Sequence, residues 1–287
     1  MTVGFVGLGN MGSVLAANLV ATGHEVVTHD ALGPGRAPEG TAYAPDLAEV
    51  AARADVLVLS LPDGTASQQV ARAIVAAADR RVRRIVDTST IGVTAARSVA
   101  ELLAEEKIGY VDAPVSGGVA GARARTLTVM YAGTDEDCVQ VEAVLAGLSD
   151  RRHRVGARPG MAQALKLANN FLSATTLAAT SEAVAFARAA GLDMATVLDV
   201  LNGSSGRSAA TEDKFPRHVL TGHYAAGFTN SLMNKDVQLY LREAGAGAGA
   251  GEGAGPIGAA VGALWERFAQ VEPGVDFTRI YPYVEGS

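Results

Sequence analysis

Gly7-Leu8-Gly9-Asn10-Met11-Gly12 directly follows the β-rich run of residues 3–6 and opens a stretch with Met11, Val14, Leu15, Asn18 and Leu19 at helical spacing. The first glycine permits a tight turn. The second lets backbone approach a pyrophosphate, and the third lets helix and strand pack closely. The helix start then offers unpaired N–H groups and a partial positive charge. Alone, such a hexapeptide is a weak signal; with a strand before it and a helix after it, it reads as a dinucleotide-binding turn. Asp30 closes a second strand-like run, residues 25–29. An acid there hydrogen-bonds the two ribose hydroxyls and repels a 2′-phosphate, so the expected cofactor is NAD. Arg36, six residues further on, keeps NADP open.

Outward from this turn, strand-like runs recur at residues 55–60, 84–87, 109–112 and 127–132, with helical patterns between several of them. Strands alternating with helices imply a parallel sheet covered on both faces. Val56-Leu57-Val58-Leu59 suits a central strand buried on both sides. After about residue 157 the character changes. One long apolar-periodic stretch covers residues 162–190, and helical patterns follow at 195–201, 232–244 and 261–271, with no convincing strand among them. The expected fold class is therefore α/β followed by all-α, with domains at 1–160 and 161–287. Residues 244–258 alternate Gly with Ala and read as a linker or a weak helix end.

Composition narrows the function. The chain has 287 residues, with 24 Lys plus Arg against 30 acids for a net charge of −6. That balance argues against a nucleic-acid binder or an anionic-membrane protein. The basic clusters at Arg80-Arg81-Val82-Arg83-Arg84 and Arg151-Arg152-His153-Arg154 read as solvated loops. A single cysteine, Cys138, excludes an intramolecular disulfide and a multi-thiolate centre. No metal is expected. With no basic leader and no apolar run of about 18–20 residues, the expected location is the cytoplasm.

Five further segments carry chemistry. Leu61-Pro62 and Thr88-Ser89-Thr90 end apolar runs where a doubly wound sheet places its ligand crevice. Asp112-Ala113-Pro114-Val115-Ser116-Gly117-Gly118 offers a hydroxyl and backbone N–H groups suited to a small carboxylate, although a plain glycine-rich turn would look the same. In Lys166-Leu167-Ala168-Asn169-Asn170, offsets of three and four put Lys166, Asn169 and Asn170 on roughly one helical face. Polar groups are costly in such an apolar helix unless paired, and a lysine desolvated in a cleft is suited to acid/base work. A solvent-exposed polar stripe is the competing reading. Lys235-Asp236 opens a later helix, where the acid reads as a helix-dipole residue and the lysine as surface.

Taken together, these segments resemble the β-hydroxyacid dehydrogenase family, of the 3-hydroxyisobutyrate dehydrogenase type. The resemblance runs from Gly4 to about Ile280 and also takes in the closing Asp276-Phe277. It implies an N-terminal Rossmann domain, a long interdomain helix and an all-α, 6-phosphogluconate dehydrogenase-like C-terminal domain that dimerises. It further implies an oxidoreductase that interconverts a small anionic β-hydroxy acid and its semialdehyde or keto acid by hydride transfer. In that scheme Lys166 is the catalytic acid/base. Ser116, Gly117, Gly118 and Asn170 hold substrate, and Leu61, Pro62, Thr90 and Lys235 join Gly7, Leu8, Gly9, Asn10, Met11, Gly12 and Asp30 on the cofactor. The chain departs from the family at Ala162 and Val119, where Gly and Thr are common, and at Arg125, where Gly is frequent. Arg123 and Arg125 thus bring two cations near the substrate loop; one of them would read an additional anionic group or a substrate that differs from 3-hydroxyisobutyrate, and plain surface arginines are the favoured competing reading. The competing functions are an NADPH-dependent semialdehyde, keto or imine reductase on the same scaffold and a non-catalytic NAD-binding regulator. Retention of Lys166 and Asp30 counts against the imine reductase reading, and the pairing of Lys166 with Asn170 against the regulator.

Overall fold

The computed structural model describes residues 1–247 and 254–286. By their internal contacts these fall into two compact units, Met1–Lys166 and Leu167–Ser287.

In the first unit, strands β1 (Thr2–Val6), β2 (Glu25–His29), β3 (Ala42–Tyr43), β4 (Val56–Leu59), β5 (Arg84–Asp87) and β6 (Gly109–Asp112) lie parallel in one sheet, in the order β3-β2-β1-β4-β5-β6. Three more strands extend it. β7 (Val115–Ser116) and β8 (Thr128–Ala132) pair antiparallel, β8 also joins β6, and β9 (Arg151–Gly156) lies parallel to β8. The intervening helices are α1 (Gly12–Ala21), α2 (Leu47–Arg53), α3 (Gly64–Ala76), α4 (Val93–Glu105), α5 (Gly118–Arg123), α6 (Asp135–Gln140) and α7 (Glu142–Leu148).

The Val56–Leu59 run shows why the sheet is covered on both sides. Val56 and Val58 pack with Val3, Phe5, Leu15 and Leu19 in one core, while Leu57 and Leu59 pack with Val27, Ile74 and Ile85 in the other. A period of two along a strand with no polar face needs this arrangement. Local capping fixes the helix starts: the side chains of Asp46, Asp63 and Thr134 accept the N–H of Glu49, Ala66 and Asp137 at α2, α3 and α6. The chain runs from β1 toward one edge and returns to β4 beside β1, so strand order reverses there. In doubly wound sheets such a reversal is where the ligand crevice forms, at the C-terminal strand ends.

The long helix α8 (Met161–Ala189) starts in this unit and continues in the second. The second unit adds α9 (Met194–Asn202), a widened π-helical segment (Ala210–Val219), α10 (Asn230–Gly247), α11 (Pro256–Val271) and α12 (Ile280–Glu285). Trp265, Phe215, Phe268 and Ile280 are fully buried at its centre. No strand was expected here, and among the described residues only a single bridge, Thr229 to Asp276, has β pairing.

Three expectations change. Arg151–Arg154 is not a loop but the first part of β9, an edge strand whose arginines discourage further pairing. The first basic cluster is partly ion-paired: Arg80 meets Glu106, Arg81 meets Asp55, and Arg84, at the start of β5, meets Glu136 and Asp137. In the Gly-Ala stretch, residues up to 247 continue α10, Gly255 precedes α11, and residues 248–253 lie outside the described residues. Among the described residues no helix is long and apolar enough to cross a membrane, and no three His, Cys, Asp or Glu side chains are grouped to hold a metal.

Candidate active site

The glycine turn leaves β1 at the point of strand reversal. Gly7 has φ +96°, a conformation open to glycine, and a Cβ there would press on the Ser60 carbonyl at the exit of β4. A Cβ on Gly12 would fall on the Gly7 carbonyl, so helix α1 can sit this close to the turn only without a side chain. Gly9 differs: a Cβ there would meet nothing within 4 Å. No side chain caps α1. An open cradle facing an uncapped helix start suits a pyrophosphate, so the residues fit a dinucleotide.

Asp30 stands at the end of β2, and both of its carboxylate oxygens are held. Oδ2 accepts the Leu8 N–H at 2.5 Å and Oδ1 accepts the Leu32 N–H at 2.8 Å. The acid is thereby locked beside the turn. Arg36 follows in a short 3-10 helix (Pro34–Arg36), where its guanidinium donates to Asn10 Oδ1 at 3.3 Å. Leu61 and Pro62 leave β4, and Leu61 N–H donates to Ser89 Oγ at 2.8 Å, which ties the exits of β4 and β5 together. Thr90 is the next residue of that second exit.

Ser116 ends β7 in register with Thr128. Gly117 (φ +131°) and Gly118 (φ +66°) then turn the chain into α5, which starts without a side-chain cap. Lys166 sits in the second turn of α8 and is only 7% exposed. The first unit thus holds the turn, Asp30, Leu61, Pro62, Thr90, Ser116–Gly118 and Lys166 at or beyond the C-terminal ends of its strands.

The second unit contains Asn170, Lys235 and Asp236. Asn170, one turn beyond Lys166 on α8, is 6% exposed and donates from Nδ2 to Asp236 Oδ2 at 2.6 Å. Its Oδ1 accepts from Asn169 at 3.1 Å. Asp236 also lies 3.2 Å from Lys235 Nζ. Asp236 is therefore more than a helix-dipole residue: it is buried, and it orients the Asn170 amide. Asp112, Gln163 and Ser89 are likewise polar groups whose partners sequence reasoning did not find. The one available signal was a glutamine three residues before the lysine in an apolar helix.

Arg125 has its guanidinium engaged within the first unit. It adopts φ +56°, and its guanidinium donates to Gly147 O (2.7 Å), Ala146 O (2.9 Å) and Asp150 Oδ1 (3.1 Å), holding the end of α7. Carbonyls at a helix C-terminus attract a cation, and that binding outweighs a left-handed backbone costing about 1 kcal/mol. Arg125→Ala, which keeps the strain and loses the bonds, should destabilise more than Arg125→Gly, by about 1 kcal/mol in denaturant unfolding. Equal losses would show that strain plays no part. Arg123, in the last turn of α5, remains exposed.

Buried acids line the β5–β6 ends. Burial pushes the Asp112 carboxyl up to about 6, against the opposing pull of the Gln163 and Gly160 N–H groups, and nearby Asp87 adds to the rise. Asp87 is raised as well, again chiefly by burial.

Comparison with known proteins agrees along the whole chain. Residues 2–156 match the family described as the NAD binding domain of 6-phosphogluconate dehydrogenase, and residues 160–284 the NAD-binding of NADP-dependent 3-hydroxyisobutyrate dehydrogenase. The chain is 34% identical to a probable 3-hydroxyisobutyrate dehydrogenase of Mycobacterium tuberculosis, over 97% of this chain and 96% of the relative. It is 34% identical to the 2-(hydroxymethyl)glutarate dehydrogenase of Eubacterium barkeri, over 85% of this chain and 82% of the relative. A solved structure of the Mycobacterium tuberculosis 3-hydroxyisobutyrate dehydrogenase with L-serine has a TM-score of 0.89 at 33% identity, covering 99% of this chain and 98% of the other.

Proposed function

The chain belongs to the 3-hydroxyisobutyrate dehydrogenase family and is an NAD(P)-dependent β-hydroxyacid dehydrogenase; on that premise we propose that it prefers NAD, that Lys166 is its acid/base and that its substrate is a small β-hydroxy acid with a primary alcohol. The observation that carries the role of Lys166 is that this amine lies buried in the second turn of α8, whose first turn is hydrogen-bonded to the exits of β5 and β6. The relatives' names support the substrate class. 3-Hydroxyisobutyrate and 2-(hydroxymethyl)glutarate both carry a hydroxymethyl group on the carbon that bears a carboxylate.

When bound, the nicotinamide supplies the hydride acceptor. Lys166 Nζ takes the proton of the substrate hydroxyl as the C–H bond breaks, and in the reverse direction returns it to the aldehyde oxygen. Its cationic form also stabilises the oxyanion that develops at that oxygen. Ser116 Oγ and the N–H groups of Gly117 and Gly118 hold the substrate carboxylate, which supplies orientation. The Asn170 amide, aimed by Asp236, fixes a second polar group of the substrate. Arg123 is the one candidate left for an additional anionic group.

Asp30 supports NAD. Its carboxylate is locked at the end of β2, where it accepts ribose hydroxyls and repels a 2′-phosphate. Arg36, held against Asn10 of the same turn, favours some use of NADP. Asp30→Ser should therefore lower the NAD-over-NADP ratio of kcat/KM by about 10- to 100-fold, and Arg36→Ala should raise it. A ratio unchanged in both variants would refute this account of cofactor choice.

A further inference from the structure

The N–H groups at the start of helix α8 find acceptors on a distant strand. Gly160, just ahead of the helix, carries no side chain and has φ +89°. The N–H groups of Gly160 and Gln163 donate to the two oxygens of Asp112, each at 3.0 Å. Asp112 is fully buried at the end of β6, so the cap arrives from a different strand. Gln163 is fully buried too, and its side chain reaches the exit of β5. Its Oε1 accepts from Ile91 N (3.0 Å) and Gly92 N (3.2 Å), and its Nε2 donates to Ser89 O (2.9 Å). Ser89 in turn holds Leu61 at the exit of β4. The ends of β4, β5 and β6 are thereby bonded to the first turn of α8, three residues before Lys166.

We propose that Asp112 and Gln163 are positioning residues for Lys166, fixing the rotation and height of α8 against the strand ends. This rests on the role proposed above for Lys166. Packing alone does not call for these residue types. A leucine would fill the space of Gln163 at no polar cost, whereas a buried amide is tolerated only when bonded, and this one makes three hydrogen bonds. What those bonds add is direction. Successive helix positions are rotated by about 100°, so even a partial twist of the first turn swings a long side chain away from its target. Asp112 lies four residues before Ser116, so one strand end sets both the substrate loop and the lysine helix.

The test uses Gln163→Leu and Asp112→Asn, each alone and combined with Lys166→Ala. Activity is assayed with 3-hydroxyisobutyrate and NAD, and NADH binding is followed by fluorescence. The single variants should lose about 10- to 100-fold in kcat, the scale of a roughly 1 Å misplacement, with NADH Kd within about twofold because the glycine turn and Asp30 are untouched. Gln163→Glu keeps the two acceptor contacts to Ile91 and Gly92 and should recover part of the loss. In the Lys166→Ala background neither substitution should lower activity further, since there is no amine left to misplace. Folded single variants with native kcat, or losses that multiply in the Lys166→Ala background, would overturn positioning while leaving the role of Lys166 intact. If Lys166→Ala is itself nearly as active as the native enzyme, the proposed role of Lys166 fails first, and positioning falls with it.

Discussion

Lys166→Ala should lower kcat for oxidation of 3-hydroxyisobutyrate by about 1,000-fold while leaving NADH binding within about twofold. General acid/base transfer accounts for roughly 10²- to 10⁴-fold, and loss of the cation proposed to stabilise the developing oxyanion acts in the same direction. Dinucleotide affinity should hold because the contacts proposed for it lie elsewhere, on the open turn of residues 7–12 and on Asp30. Lys166→Arg sharpens the result. Arginine keeps the charge but does not give up its proton near neutral pH, so it should stay close to the alanine variant if proton transfer dominates. It should recover most of the rate if charge dominates. A drop of less than about tenfold in both variants would assign the acid/base to another group.

Why some of this molecule is legible in its sequence and some is not follows from the range of the interactions. The runs at 25–29, 84–87 and 109–112 coincide with β2, β5 and β6, because each is a β-branched or aromatic segment bounded by turns. β3 and β7 are two residues long, below the reach of any periodicity. β9 hides behind its arginines: an edge strand needs little apolar surface and gains from charge. The π-helical segment is obscured by Pro216, which removes a donor and breaks the ordinary helical pattern; Leu220 N reaches back five residues to Phe215 O.

The site divides the same way. The glycine turn is a local device, written in six consecutive residues. Lys166 and Asn170 stand out as polar residues in an apolar helix. Their supports do not stand out, because each is defined by a distant partner: Gln163 by residues 89–92, Asp112 by residues 160 and 163, Asp236 by Asn170. Arg125 shows the opposite error. Its nearness in sequence to the glycine loop suggested a ligand, but its guanidinium lies on the carbonyls that end α7.

The Asp112 cap also predicts how stability varies with pH. Its carboxyl is raised to about 6 because burial disfavours the charge more than the Gly160 and Gln163 N–H groups favour it. The native state therefore holds this proton more tightly than the unfolded chain, whose carboxyl titrates near 3.8. Stability from this group is fully present below the unfolded value and is lost as pH rises through about 6. A gap of roughly two units corresponds to about 3 kcal/mol over the whole window, of which roughly 2 kcal/mol falls between about pH 4.5 and 7.5. Asp87, across the β5–β6 pair, is raised too, and Tyr110 is pushed further up by both acids, so the native curve is a sum. Asp112→Asn isolates the one contribution. Asparagine has no proton to lose, although its single carbonyl leaves one of the two N–H groups without an acceptor, a roughly constant cost of about 1–3 kcal/mol. The difference in unfolding free energy between native protein and variant should therefore shrink by about 2 kcal/mol as pH rises from about 4.5 to 7.5. A difference that stays flat across that range would mean that Asp112 is already charged at the acid end, with the helix start stabilising its carboxylate as fully as water does.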